Sequence, residues 1–168
     1  MNTFQISKYN PEYRTQEGKY LKDDWTSVSD IGCTFGGDML TSDKYIDTEN
    51  NYIEALNLIL YEAKSSYLKI VGLEKHNDKL EKDPLSLYDK ESEAVFNNIS
   101  EGSILSIKDA LILIRLILRE NLWCYLVNED ITIKVGYDYY VDIITSKKLD
   151  SFNTITNKMN LFVISLNS

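Results

Sequence analysis

The residues best suited to chemistry in this chain are carboxylates, and they come in groups: Asp23 with Asp24, the run of Asp89, Glu91 and Glu93, and Asp138 with Asp142 inside GYDYYVD. Paired carboxylates serve glycoside hydrolysis, where one acid gives up a proton and the other attacks or activates water, and they hold hard divalent cations. No EF-hand loop can be drawn through these acids, and an acidic chain supplies pairs by chance. Other chemistries are less well provided. His76 is the sole histidine and stands in a polar EKHND context, which fits an exposed or turn residue better than a general base. Cys33 and Cys124 are the only cysteines, too few for a disulfide framework or a zinc set, although a single bridge between them stays open. Neither carries a nucleophile signature. The glycines of IGCTFGGD lack both the Walker lysine and the dinucleotide fingerprint, so they read as a tight turn ahead of a helix.

Charge narrows the partners. The net charge is −8, and residues 1–100 hold most of the excess, with 18 Asp and Glu against 11 Lys and Arg. A grip on phosphate backbones is built from clustered cations, so nucleic acid is disfavoured and a basic partner favoured. On a continuous strand, Asp138, Tyr140 and Asp142 would form an exposed acid, aromatic, acid row, with Tyr137, Tyr139 and Val141 on the other face. Such a row could meet Lys and Arg side chains. DKESE at 89–93 poses the same choice between a contact face and a solvated helix face.

The elements that must position these groups follow from periodicity. Tyr52, Leu56, Ile59, Leu60 and Ala63 share one face of a helix over about 42–64, capped by Thr41 or Ser42. A strand is expected near 67–74 and a short surface helix over about 85–99. Ser106 opens a helix whose apolar residues cover almost the whole circumference except Lys108, Asp109, Arg115 and Arg119, so it belongs in the core. Strands follow near 122–128 and 131–144, with Gly136 marking a bulge or a close backbone approach. A last strand in NLFVISLNS comes after a short polar loop. The expectation is one α+β domain over 1–168, with helices on an antiparallel sheet of about three to five strands. The apolar fraction of 43% supports a core, and the longest apolar run, ALILIRLIL, is broken by Arg115 and too short to span a bilayer. With no secretory signal at the start, the reading is a soluble, cytoplasmic protein.

The opening segment, YNPEYRTQEGKYLKDDWTSVSDIGCTFGG, precedes any regular pattern. It could be a catalytic loop, a segment ordered by a partner, or a wrap packed on the domain. Tyr9, Tyr13, Tyr20 and Trp25 together favour the wrap, with Trp25, Val28 and Ile31 at helical spacing and Asp24 and Ser27 placed to bond nearby backbone.

KYNPEYRTQEGKYLKDDWTSVSDIG, together with LWCYL and VGYDYYVDI, resembles a group of small bacterial immunity proteins encoded beside polymorphic or contact-dependent growth inhibition toxins. The resemblance implies neutralisation of a cognate toxin domain, often a basic nuclease, by direct one-to-one binding without catalysis or cofactor. No functional residues transfer through it. The expected contact surface, taken from the acidic and aromatic runs, is Asp83, Asp89, Glu91, Glu93, Asp138, Tyr140 and Asp142. The alternatives are a small metal-dependent enzyme using paired carboxylates, which requires a deep acidic pocket, and a housekeeping interaction domain.

Overall fold

Alternating apolar and polar residues build a larger sheet than the strongest sequence signals suggest. The computed structural model describes residues 1–80 and 88–166. In it, strands β1 (Asn2–Ser7), β4 (Tyr67–Lys75), β5 (Ile104–Ser106), β6 (Leu122–Val127), β7 (Ile131–Val135), β8 (Val141–Thr145) and β9 (Phe162–Ser165) form one sheet. Its order is β5-β4-β6-β7-β8-β1-β9, with every neighbouring pair antiparallel. A separate two-stranded ribbon, β2 (Thr34–Phe35) with β3 (Asp38–Met39), turns at Gly36 and Gly37, both at positive φ. This is the tight turn expected of IGCTFGGD.

The first strand was not anticipated, yet Phe4 and Ile6 alternate with Thr3 and Gln5 across it, and β1 sits inside the sheet between β8 and β9. Among the described residues, four α-helices complete the α+β domain: α1 (Ser42–Glu62), α2 (Lys90–Asn98), α3 (Ile107–Leu118) and α4 (Phe152–Met159). The last replaces the expected polar loop. Phe152, Ile155 and Met159 are its only large apolar residues, and their spacing gives one narrow stripe that buries Ile155.

The sheet has a packed face and an open one. Leu126, Ile133 and Ile143 lie side by side on β6, β7 and β8 and are buried beneath the helices. One step along, Tyr125, Lys134 and Asp142 form a row on the opposite, half-buried face. Helix α3 is nearly engulfed, with Ala110, Leu113, Ile114, Leu116, Ile117 and Leu118 all buried. Each large side chain there contributes roughly 1.5–3 kcal/mol of burial. Its cap is the expected one: Ser106 Oγ accepts from the Asp109 amide at 3.1 Å and donates to the Asp109 carboxylate at 2.8 Å.

Charge is also taken into the core. Glu49 of α1 is 0% exposed, and its carboxylate accepts from Arg119 Nε and Nη2 and from Arg115 Nη1, each at 2.7 Å. The arginines read as interruptions of α3's apolar surface therefore clamp α3 to α1.

The N-terminal segment is an ordered wrap. Tyr9 and Trp25 are buried, and the Tyr9 hydroxyl donates to the Trp25 carbonyl at 3.1 Å. Lys8 Nζ lies 4.1 Å from both ring centroids and 2.9 Å from the Asp24 carboxylate. Burial lowers the lysine's pKa, against the pull of Asp24. Tyr20 packs on Tyr9 at 4.9 Å, whereas Tyr13 stays partly exposed under Lys22. The helical spacing of Trp25, Val28 and Ile31 yields only a single 3-10 turn, Val28–Asp30, with Ser27 and Asp30 in a reciprocal capping box.

Candidate functional site

Strand 131–144 does not run through. Val135 pairs with Val141, so residues 136–140 form a turn between β7 and β8, with Tyr137–Tyr139 in a 3-10 conformation. Gly136 begins it: its amide donates to the Tyr140 carbonyl at 2.7 Å, and a Cβ there would lie 3.4 Å from the same oxygen. The expected close backbone approach is thus real. The expected row is not, because the turn sends Tyr137 to 92% exposure while Tyr139 is 4% exposed, although both had been placed on one strand face.

Asp138 and Tyr139 take φ of 57° and 63°, a left-handed conformation costing non-glycine residues about 1–3 kcal/mol each. Buried hydrogen bonds hold Tyr139 there. The Tyr52 hydroxyl donates to the Tyr139 carbonyl at 2.6 Å, and the Tyr139 hydroxyl reaches the Tyr45 hydroxyl at 2.9 Å and the Leu118 carbonyl at 2.8 Å. Trp25 of the wrap packs edge-on against Tyr139 at 4.9 Å. Burial raises the pKa of all four tyrosines around this knot, Tyr9, Tyr45, Tyr52 and Tyr139.

The turn forms one wall of a cleft of about 540 Å³. Thr26 and Ser27 of the wrap meet the end of α3 and the ends of β4, β6 and β7 there. Leu118, Leu122, Val135, Trp123 and Tyr139 supply the apolar surface, and Glu74, Glu120 and Asp138 supply carboxylates. Among the described residues the lining includes His76 but no Lys or Arg, and none of the ion pairs involves these three acids.

Local backbone chemistry aims each of them. Glu74 stands opposite Trp123 because β4 bulges between Val71 and Glu74, and the bulge amides of Gly72 and Leu73 donate to the Glu101 carboxylate at 3.1 and 2.8 Å. Those two bonds hold the Glu101 pKa below the usual carboxylate range. Glu120 follows α3 at φ 60°: its amide donates to Ile117 and the Asn121 amide to Leu116, closing the helix in a position that glycine fills at lower cost. His76 is exposed, as its context suggested, and its Nδ1 lies 2.5 Å from the Glu120 carbonyl, which makes Nδ1 the protonated nitrogen. The Trp123 indole donates to the Val135 carbonyl at 3.1 Å.

Of the six described residues expected at a contact surface, only Asp138 lines this cleft. Asp83 lies outside the described residues. Asp89 caps α2 and accepts from the Ser92 amide at 2.8 Å, which lowers its pKa, while Glu91 pairs with Lys108 at 2.6 Å and Glu93 stays exposed on the same turn. The Tyr140 hydroxyl accepts from Arg14 and its ring lies 5.3 Å from that of Tyr9, so it serves the wrap. Asp142 accepts from Gln5 at 3.0 Å on the open sheet face.

No family model matches the chain, and no curated protein or solved structure matches it significantly. The site therefore rests on its own geometry. Among the described residues no three His, Cys, Asp or Glu side chains gather closely enough to hold a metal ion, and no helix is long and apolar enough to cross a membrane. Glu74, Glu120, Trp123 and Tyr137 were missed by sequence reasoning. Trp123 stands in LWCYL, but nothing local marks a glutamate that folds into a left-handed cap.

Proposed function

We propose that this chain is an immunity protein that binds and neutralises a cognate toxin domain, a basic nuclease in the simplest case. It blocks the toxin's active site or substrate surface as a monomer in a one-to-one complex, in the cytoplasm and without catalysis of its own. The observation that carries this reading is the pinned 136–140 turn, which presents Tyr137 and Asp138 beside carboxylates that form no ion pair among the described residues. A rigid surface loses little entropy on binding, and tyrosine gives large contact area with few rotors. Uncompensated acids speed encounter with a basic partner and exclude its nucleic acid. The sequence resemblance and the net charge of −8 point the same way.

The test begins with the neighbouring genes. An adjacent frame should encode the C-terminal domain of a large secreted toxin, expression of that domain should arrest growth, and co-expression of this chain should lift the arrest and yield a one-to-one complex. A toxin whose arrest persists when both proteins are soluble and abundant would overturn the reading.

A further inference from the structure

We infer that the cleft between the wrap and the 136–140 turn is a socket for an arginine side chain, presented on a loop of a basic protein partner. This deepens the functional proposal above and rests on it for the partner, while the chemistry rests on the cleft itself. At about 540 Å³ the space exceeds what a single side chain needs and accommodates an arginine with its flanking backbone. The floor is apolar and aromatic, so it can take the methylene stem, and Trp123 offers a ring where a guanidinium can stack.

The rim decides the sign of the occupant. Glu74, Glu120 and Asp138 come from three separate elements and line one cavity that, among the described residues, also takes in His76 but no Lys or Arg. Elsewhere among the described residues, Glu49 takes two arginines and Glu91 takes Lys108. Arginine fits better than lysine, because its planar fork can address two carboxylates at once and still lie on an aromatic face. Glu49 and Arg119 show that bidentate geometry inside this same protein, at 2.7 Å for both bonds.

The experiment uses the full chain and needs no toxin. N-acetyl-arginine amide is titrated into the isotopically labelled protein and followed by amide and indole NMR, beside N-acetyl-citrulline amide, which keeps the shape and lacks the charge. The arginine compound is expected to shift the Trp123 indole and residues 136–140 saturably, with citrulline causing little change. The combined variant Glu74→Gln, Glu120→Gln, Asp138→Asn is expected to bind roughly tenfold more weakly, since three exposed pairs together contribute about 1.4 kcal/mol. Equal shifts with citrulline, shifts scattered over the surface, or undiminished binding to the triple variant would each overturn the socket. The citrulline comparison uses unmodified protein, so it decides the matter even if the variant folds poorly. Growth rescue by the triple variant at wild-type strength, with a bona fide toxin, would remove the socket and leave the immunity reading standing.

Discussion

Arg119 and Glu120 are neighbours in the chain, yet they belong to regions that treat charge in opposite ways. Arg119 points into the core, where it and Arg115 saturate the fully buried Glu49. Glu120 turns outward into a cleft where acids from three elements form no ion pair among the described residues. A buried charge must find its partner inside the molecule because desolvation is so costly. An exposed one can be left for a partner to complete, and the backbone strain at Glu120 and Asp138 is held by the same core that Glu49 helps to lock.

The largest way to break that comparison is alkali. Tyr9, Tyr45, Tyr52 and Tyr139 ionise less readily folded than unfolded because burial disfavours the phenolate. Raised folded values mean that this stability is complete below pH 10, the ordinary tyrosine value, and is lost as pH climbs above it. Four groups give a slope of up to roughly 5 kcal/mol per pH unit. Cooperative loss of ellipticity should therefore coincide with a late step in tyrosinate absorbance. Complete tyrosine titration near pH 10 in a still-folded protein would contradict the knot that holds the turn.

Next in size is the buried clamp. Glu49→Ala leaves two arginines without their carboxylate and should cost about 3–5 kcal/mol in urea unfolding. A loss under about 1 kcal/mol would show that water already reaches the clamp.

The smallest effect has the opposite sign. Glu120→Gly relieves a left-handed glutamate and should raise stability by about 0.5–1 kcal/mol while weakening the arginine-amide response. Stability gained with binding lost is the signature of a residue kept for its side chain. A destabilised variant would mean instead that Glu120 supports the fold.

How much of this was readable in advance follows the range of the interactions. Helices α1 and α3 announced themselves through caps and apolar periodicity, which are local, and Trp25 and Tyr9 were identified as packed because large aromatics rarely serve an exposed leader. Strand β1 was overlooked since Phe4 and Ile6 are only two apolar residues, and their partners lie on β8 and β9 far downstream. The supposed strand through 136–140 failed because β propensity, strong in GYDYYV, was overridden by the need to turn β8 back onto β7. The cleft was illegible for a related reason: Glu74, Glu120 and Asp138 are 64 positions apart at the extremes and converge only through the sheet. Tyr45 and Tyr52 share one face of α1 by spacing alone, but Tyr139 joins them only in three dimensions.

The place of β1 between β8 and β9 also governs when this sheet can be completed during synthesis. Phe4 pairs with Ile143 on one side and Ser165 on the other. At about 5–20 residues per second, a ribosome needs on the order of ten seconds to deliver those partners after β1 has left the exit tunnel. Until β8 arrives β1 has both edges open, and the edge that β9 covers stays open longer still, so the nascent chain carries an exposed, association-prone strand for most of that interval.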